Sequence, residues 1–134
     1  MSASLPQQAK ALLDAPSYVT LATINPDGAP QTSLLWAERD GDDILLSTIE
    51  GRQKWRNVQR DPRVSVLIHD ASSPYRFVEV RGAVTMTHDG GPELIERLSQ
   101  AYEGERYAGD DGTDHVRVVL RLRPERIVAR NPAP

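Results

Sequence analysis

Short runs rich in β-branched residues, cut at close intervals by tight-turn signals, constrain this chain to a sheet that doubles back on itself. Tyr18–Ile24 is the first such run. Asn25-Pro26-Asp27-Gly28 turns it, because proline pre-sets φ and Asp-Gly accepts a left-handed residue. A second strand is expected from Pro30 to Glu38, and Arg39-Asp40-Gly41-Asp42 turns it into a third, Asp43–Thr48. Three sequential strands joined in this way predict an antiparallel meander. Arg63–Ile68 predicts a fourth strand and Tyr75–Thr87 a long fifth, in which Gly82 marks a bulge where the strand bends. Val116–Leu122 predicts the last strand, extended by Ile127-Val128 beyond Pro124.

Helix signals punctuate these strands. Ser4 is placed to cap a helix over Gln7–Leu13, with Pro6 near its first turn and Asp14-Ala15-Pro16 closing it. Gly51–Asp61 predicts a short helix with Trp55 and Val58 on one face, ended by Asp61-Pro62. Gly91-Pro92 opens a third, reaching Tyr102 and carrying Leu94, Ile95 and Leu98. Gly104–His115 is polar and glycine-rich, hence a loop. No repeat or linker interrupts the chain, so residues 1–134 are read as one domain. About six strands in so short a chain cannot all be buried on both faces, and closing the sheet into a barrel removes its open edges. The expected fold is therefore mainly β (α+β), an antiparallel barrel with short flanking helices. Two tryptophans and four tyrosines on a small barrel leave apolar surface to cover, which favours a dimer.

Composition narrows the function classes. An apolar share of 39% is globular, and the absence of cysteine excludes disulfides, thiolate metal sites and a cysteine nucleophile. Sixteen basic and 19 acidic residues give a net charge of −3, which argues against a nucleic-acid binder but leaves room for a local cationic pocket. No apolar run is long enough to cross a membrane, and Met1–Lys10 lacks a secretory pattern, so a soluble cytoplasmic protein is expected.

The segment Ser47-Thr48-Ile49-Glu50-Gly51-Arg52-Gln53-Lys54 sets two hydroxyls at a strand end, a glycine, then two cations at the opening turn of a helix. Free N–H groups, a positive dipole end, a guanidinium fork and an ammonium together suit a phosphate. The same spacing also fits a surface helix whose Arg52, Arg56 and Arg60 form a solvated stripe.

Gly51-Arg52-x-Lys54-x-x-Asn57-Val58-x-Arg60-Asp61-Pro62-Arg63-Val64 resembles the motif of the pyridoxamine-phosphate-oxidase-like split-barrel superfamily. More narrowly, it looks like the deazaflavin (F420)-dependent oxidoreductases of that superfamily. Leu21–Trp36 is similar to the family's first hairpin, and the likeness runs on to Arg126. The resemblance implies a split barrel in which Arg52 and Lys54 contact a cofactor phosphate, Ser47 and Thr48 add donors, and Asn57 orients the loop. It further implies that Gln31, Thr32 and Ser33 line the ring side. The pocket would span a homodimer interface, with Tyr75 reaching the partner's cofactor.

No other constellation competes. His69, His88 and His115 show no metal-ligand spacing, Ser33 and Ser47 sit in no GxSxG elbow, and there is no GxGxxG. Asp110–Asp114 lacks the order of a calcium loop. No catalytic or metal residue is therefore assigned, which suits hydride chemistry carried by a cofactor. The expected function is hydride transfer between F420 and a small unsaturated or quinone-like acceptor. The alternatives are an FMN oxidase or reductase of the same fold, and a carrier or sensor without turnover. A true pyridoxamine-phosphate oxidase is disfavoured by the short chain and by Arg126–Pro134, which shows no Arg-x-His motif.

Overall fold

The structure, a computed structural model, describes residues 2–130. Met1 and residues 131–134 lie outside the described residues, and with them the two ends of the 1–134 span and the last part of the tail read for an Arg-x-His motif. One sheet of seven antiparallel strands carries three helices. The strands are β1 (Val19–Ile24), β2 (Pro30–Leu35), β3 (Glu38–Asp40), β4 (Asp43–Ile49), β5 (Arg63–Asp70), β6 (Ser73–Thr87) and β7 (Arg117–Arg130). The helices are α1 (Gln7–Asp14), α2 (Gln53–Arg60) and α3 (Gly91–Glu103). Across the sheet the order is β2-β1-β5-β6-β7-β4-β3.

That order corrects the expected meander. The run Pro30–Glu38 is not one strand: it breaks at Trp36-Ala37, and its two halves lie on opposite edges of the sheet. Only β1 pairs with β2, and only β4 pairs with β3, so of the second expected strand Glu38 alone, opposite Leu45, joins the ladder of the third. Two residues thus bridge the edges of a curled sheet, which is how an open sheet becomes a split barrel. Tyr102 pins the bridge. Its hydroxyl accepts from the Ala37 N–H at 3.1 Å and donates to the Ser17 carbonyl at 2.6 Å.

The last strand also differs from expectation. β7 runs unbroken through Pro124, and the register shift opposite Arg81/Gly82 puts the extra residue on β7, at Glu125. Proline is tolerated there because a bulge needs no ladder donor. Gly82 makes room: a Cβ at that position would lie 2.2 Å from the Arg123 carbonyl oxygen. At the N-terminus Ser4 does not cap α1. Pro6 occupies the cap position without a side-chain bond, and Leu5 N–H donates instead to Asp42 at 3.0 Å.

Inside the barrel Leu21, Ile44, Leu46, Val66, Ile68, Val78, Val80, Leu120 and Leu122 are fully buried. Each such side chain contributes about 1.5–3 kcal/mol. A second cluster forms where α3 presses Leu94, Ile95 and Leu98 onto Leu45 and Val119, on the other face of β4 and β7. Alternation along β4 therefore serves two cores, which is why its residues from Ile44 to Ile49 are all buried.

Candidate functional site

The seam of the barrel fixes the site. β4 is paired with β7 along Ile44–Ile49, whereas β3 covers its other edge only as far as Leu45. The far edge of Leu46–Ile49 has no ladder partner. A cavity of about 300 Å³ opens there, lined by Ser47, Thr48 and Ile49 in succession, by Leu35, and by Arg52 and Lys54 from the start of α2. A hollow at a strand edge meets side chains of both parities, so consecutive residues can share it.

Gly51 supplies the sharp exit from β4, with φ at +93°, a conformation a side chain would strain. Arg52 then sits at the cap position of α2 without capping it. Among the described residues, neither Arg52 nor Lys54 has an ion-pair partner, while Arg39, Arg63, Arg81, Arg97, Arg106, Arg117 and Arg121 are each paired with a carboxylate. Burial holds the Lys54 ammonium below the ordinary lysine value, and the Arg52 and Arg117 charges push it the same way. Thr48 is 2% exposed and its hydroxyl has no hydrogen-bond partner. Exposed Arg52 and half-buried Lys54 thus line one cavity with Thr48, whose buried hydroxyl is unsatisfied. Arg52, Arg56 and Arg60 are all exposed, as the solvated-stripe reading expects, with Arg56 donating to the Gly51 carbonyl and Arg60 to the Ile24 carbonyl.

The expected loop Gly104–His115 walls this cavity with Tyr107, Gly109 and His115, and Arg117 at the start of β7 completes it. A second cavity of about 200 Å³ shares Leu35, Ser47, Tyr107 and Arg117 with the first and adds Tyr18, Leu34, Trp36, Ile95 and Leu98. Trp36 stacks on Tyr102 at 5.4 Å and meets Tyr107 edge-on at 6.5 Å. The seam is thus cationic at one end and aromatic at the other. Two larger hollows, about 420 and 470 Å³, lie elsewhere and touch neither Arg52 nor Lys54. Two of the arginines lining the first of these, Arg63 and Arg81, are already bonded to Asp61 and Glu79.

Ser47, Thr48, Arg52 and Lys54 all line this one cavity. The other expected site residues lie apart from the cavity. Asn57 is fully buried; it donates to Thr23 at 2.9 Å and Asn25 at 3.0 Å and accepts from Gln53 at 2.8 Å, tying α2 to the β1–β2 hairpin. Gln31 joins this network by accepting from the Thr23 hydroxyl at 2.7 Å, and donates onward to Ser33 at 2.9 Å. Thr32 points to the opposite, exposed face, and Tyr75, 62% exposed, lines neither cavity. Arg117 escaped sequence reading because it stands in no local motif. Asp110 and Asp111, in the stretch tested as a calcium loop, instead hold Arg117 and Arg106.

Comparison with known proteins agrees with this geometry. The family model described as pyridoxamine 5'-phosphate oxidase matches residues 5–131. The solved structure of an F420 reductase is similar at 31% identity and a TM-score of 0.83, covering 94% of this chain and 100% of that one. A conserved hypothetical protein from Mycobacterium tuberculosis follows at 27% and 0.72, covering 94% of this chain and 84% of that one. General stress protein 26 from Bacillus anthracis shares the fold at 15% identity and 0.73, covering 94% and 93%. A cationic seam in a split barrel, a family match over nearly the whole chain and a likeness to an F420 reductase lead to one assignment: the chain belongs to the pyridoxamine 5'-phosphate oxidase family.

Proposed function

We propose that this protein is an F420-dependent oxidoreductase that passes a hydride between the deazaflavin and a small unsaturated or quinone-like acceptor. The observation that carries the reading is the pair of unpaired cations, Arg52 and Lys54, lining one cavity with Ser47 and Thr48. The 31% identity to an F420 reductase supports F420 as the ligand. When bound, such a cofactor supplies the hydride chemistry itself. The chain's part is to hold and orient: Arg52 and Lys54 would bind the phosphate, with Ser47 and Thr48 as further donors. Trp36, Leu34 and Tyr18 in the adjoining cavity would keep water from the apolar portion of the bound molecules. Asn57, Gln31 and Ser33 would act on the pocket from behind, by fixing α2 against β1 and β2. FMN is the second reading, because a site that binds a phosphate would also serve FMN, which ends in one. Titrating F420 and FMN against one preparation, then following oxidation of reduced F420 by a panel of enones and quinones, tests the proposal. Tight FMN binding with no response to F420 would overturn it.

A homodimer belongs to the same proposal. Leu34 and Leu67 flank Thr20 across the outer face of β2, β1 and β5, and Leu34 is 65% exposed. A second copy would cover this face and bring Tyr75 toward its neighbour's site.

The lowered Lys54 pKa gives the binding a pH signature. Lys54 loses its proton below the ordinary 10.5, so F420 affinity should fall as pH rises through that lowered value. Over the same window the free protein should gain stability, because the folded chain binds fewer protons than the unfolded one. Affinity measured from neutral to alkaline pH checks this. The Lys54→Arg variant should lose the dependence, and a flat wild-type profile would refute it.

A further inference from the structure

The cavity holds a third cation that no sequence motif marks. Arg117 lies at the start of β7, paired across the ladder with Ile49, and its side chain is only 10% exposed. Its guanidinium is held on three sides. Nε donates to Asp110 Oδ2 at 2.7 Å, and Nη2 donates to Asp110 Oδ1 at 3.1 Å and to the Tyr107 hydroxyl at 2.7 Å. The Tyr107 ring lies beneath it, 5.0 Å from the guanidinium carbon. That accounts for every N–H except the two on Nη1. One of these makes a long bond, 3.3 Å, to Ser47 Oγ, and the other has no acceptor among the described residues. Nη1 is thus the corner of the fork left for a ligand, and it lies beside a serine that lines the same cavity.

From this geometry we infer that Arg117 is a third phosphate-binding residue, holding the anion on the side away from Arg52 and Lys54, with Asp110 and Tyr107 as its positioning residues. The inference rests on the reading of the cavity as the cofactor's phosphate site. Ser47 gains a defined role: it accepts from Arg117, so its own proton is free to donate into the cavity. The fork is already oriented by Asp110, so little side-chain freedom is lost when the anion binds. Asp110 also receives His115 Nδ1 at 2.8 Å, and this second contact keeps the carboxylate in place. Arg117 borders both cavities and stands at the joint between the cationic and aromatic ends of the seam.

Removing Arg117 alone would strand Asp110, so the decisive variant is the neutral pair Arg117→Gln/Asp110→Asn. F420 and FMN affinities should weaken by about 10-fold or more, the worth of one charge-assisted contact. The dependence of affinity on salt should stay close to that of the wild type, since one positive and one negative charge leave together. Arg117→Lys keeps the charge but loses the fork; it should weaken binding several-fold with the salt dependence retained, and it reads the same role if the double variant fails to fold. Wild-type affinity in either folded variant would overturn the inference while leaving the phosphate site intact. A wild-type protein that binds neither F420 nor FMN would instead bring down the functional reading itself.

Discussion

Replacing Arg52 and Lys54 together by alanine should weaken F420 binding by at least about 100-fold, each charge-assisted contact being worth roughly 1.5–3 kcal/mol. The fold should survive unharmed. Neither residue has an ion pair to lose, and Lys54 is held desolvated beside the like charges of Arg52 and Arg117. The melting temperature of the free variant should therefore equal or exceed that of the wild type. Fluorescence titration beside a thermal melt reads both quantities. A stable variant with unchanged affinity would remove the phosphate from this end of the seam. A collapsed variant would make the two cations structural, contrary to their lack of partners.

The second large effect lies at a residue that touches no cavity named above as functional. Gly82→Ala should lower stability by about 3 kcal/mol or more, because the new Cβ would fall 2.2 Å from the Arg123 carbonyl oxygen, inside a backbone that cannot step aside. For a domain of this size that corresponds to a fall of about 10 °C in melting temperature. The bulge opposite Gly82 is where β6 and β7 bend together, so the variant should also lose affinity by loosening the curl that sets the seam. A shift of less than about 2 °C would show that the strands relax around the methyl group.

Local signals were readable where the physics is local. The Asn25–Gly28 turn, the β-branched run of β1 and the Asp61-Pro62 stop of α2 need no distant partner, and each stands within a residue or two of its expected place. Arg52 and Lys54 were legible for the same reason, since a strand, a glycine and a helix start place them without help from the rest of the chain. The break at Trp36-Ala37 was not legible. Strand-like composition continues through it, and only the pairing of β3 with β4 and the Tyr102 hydroxyl decide that the chain crosses there. Arg117 was hidden similarly. In β7 it reads as the polar phase of an alternating strand, and its ligands Asp110 and Tyr107 come from a loop whose composition suggests only solvent. Asn57 belonged to a motif, yet its complete burial and its bonds to Thr23 and Asn25 depend on a hairpin some thirty positions away.

The Trp36-Ala37 bridge has a mechanical meaning. It is a buckle on a hoop: two residues of fixed reach join the sheet's opposite margins, and the slot they leave is as wide as that short strap permits. Covalent chain length sets the aperture here, where elsewhere in the sheet hydrogen bonds set the spacing. A protein built this way can change the girth of what it grips by lengthening or shortening the strap, while every ladder of the barrel keeps its register.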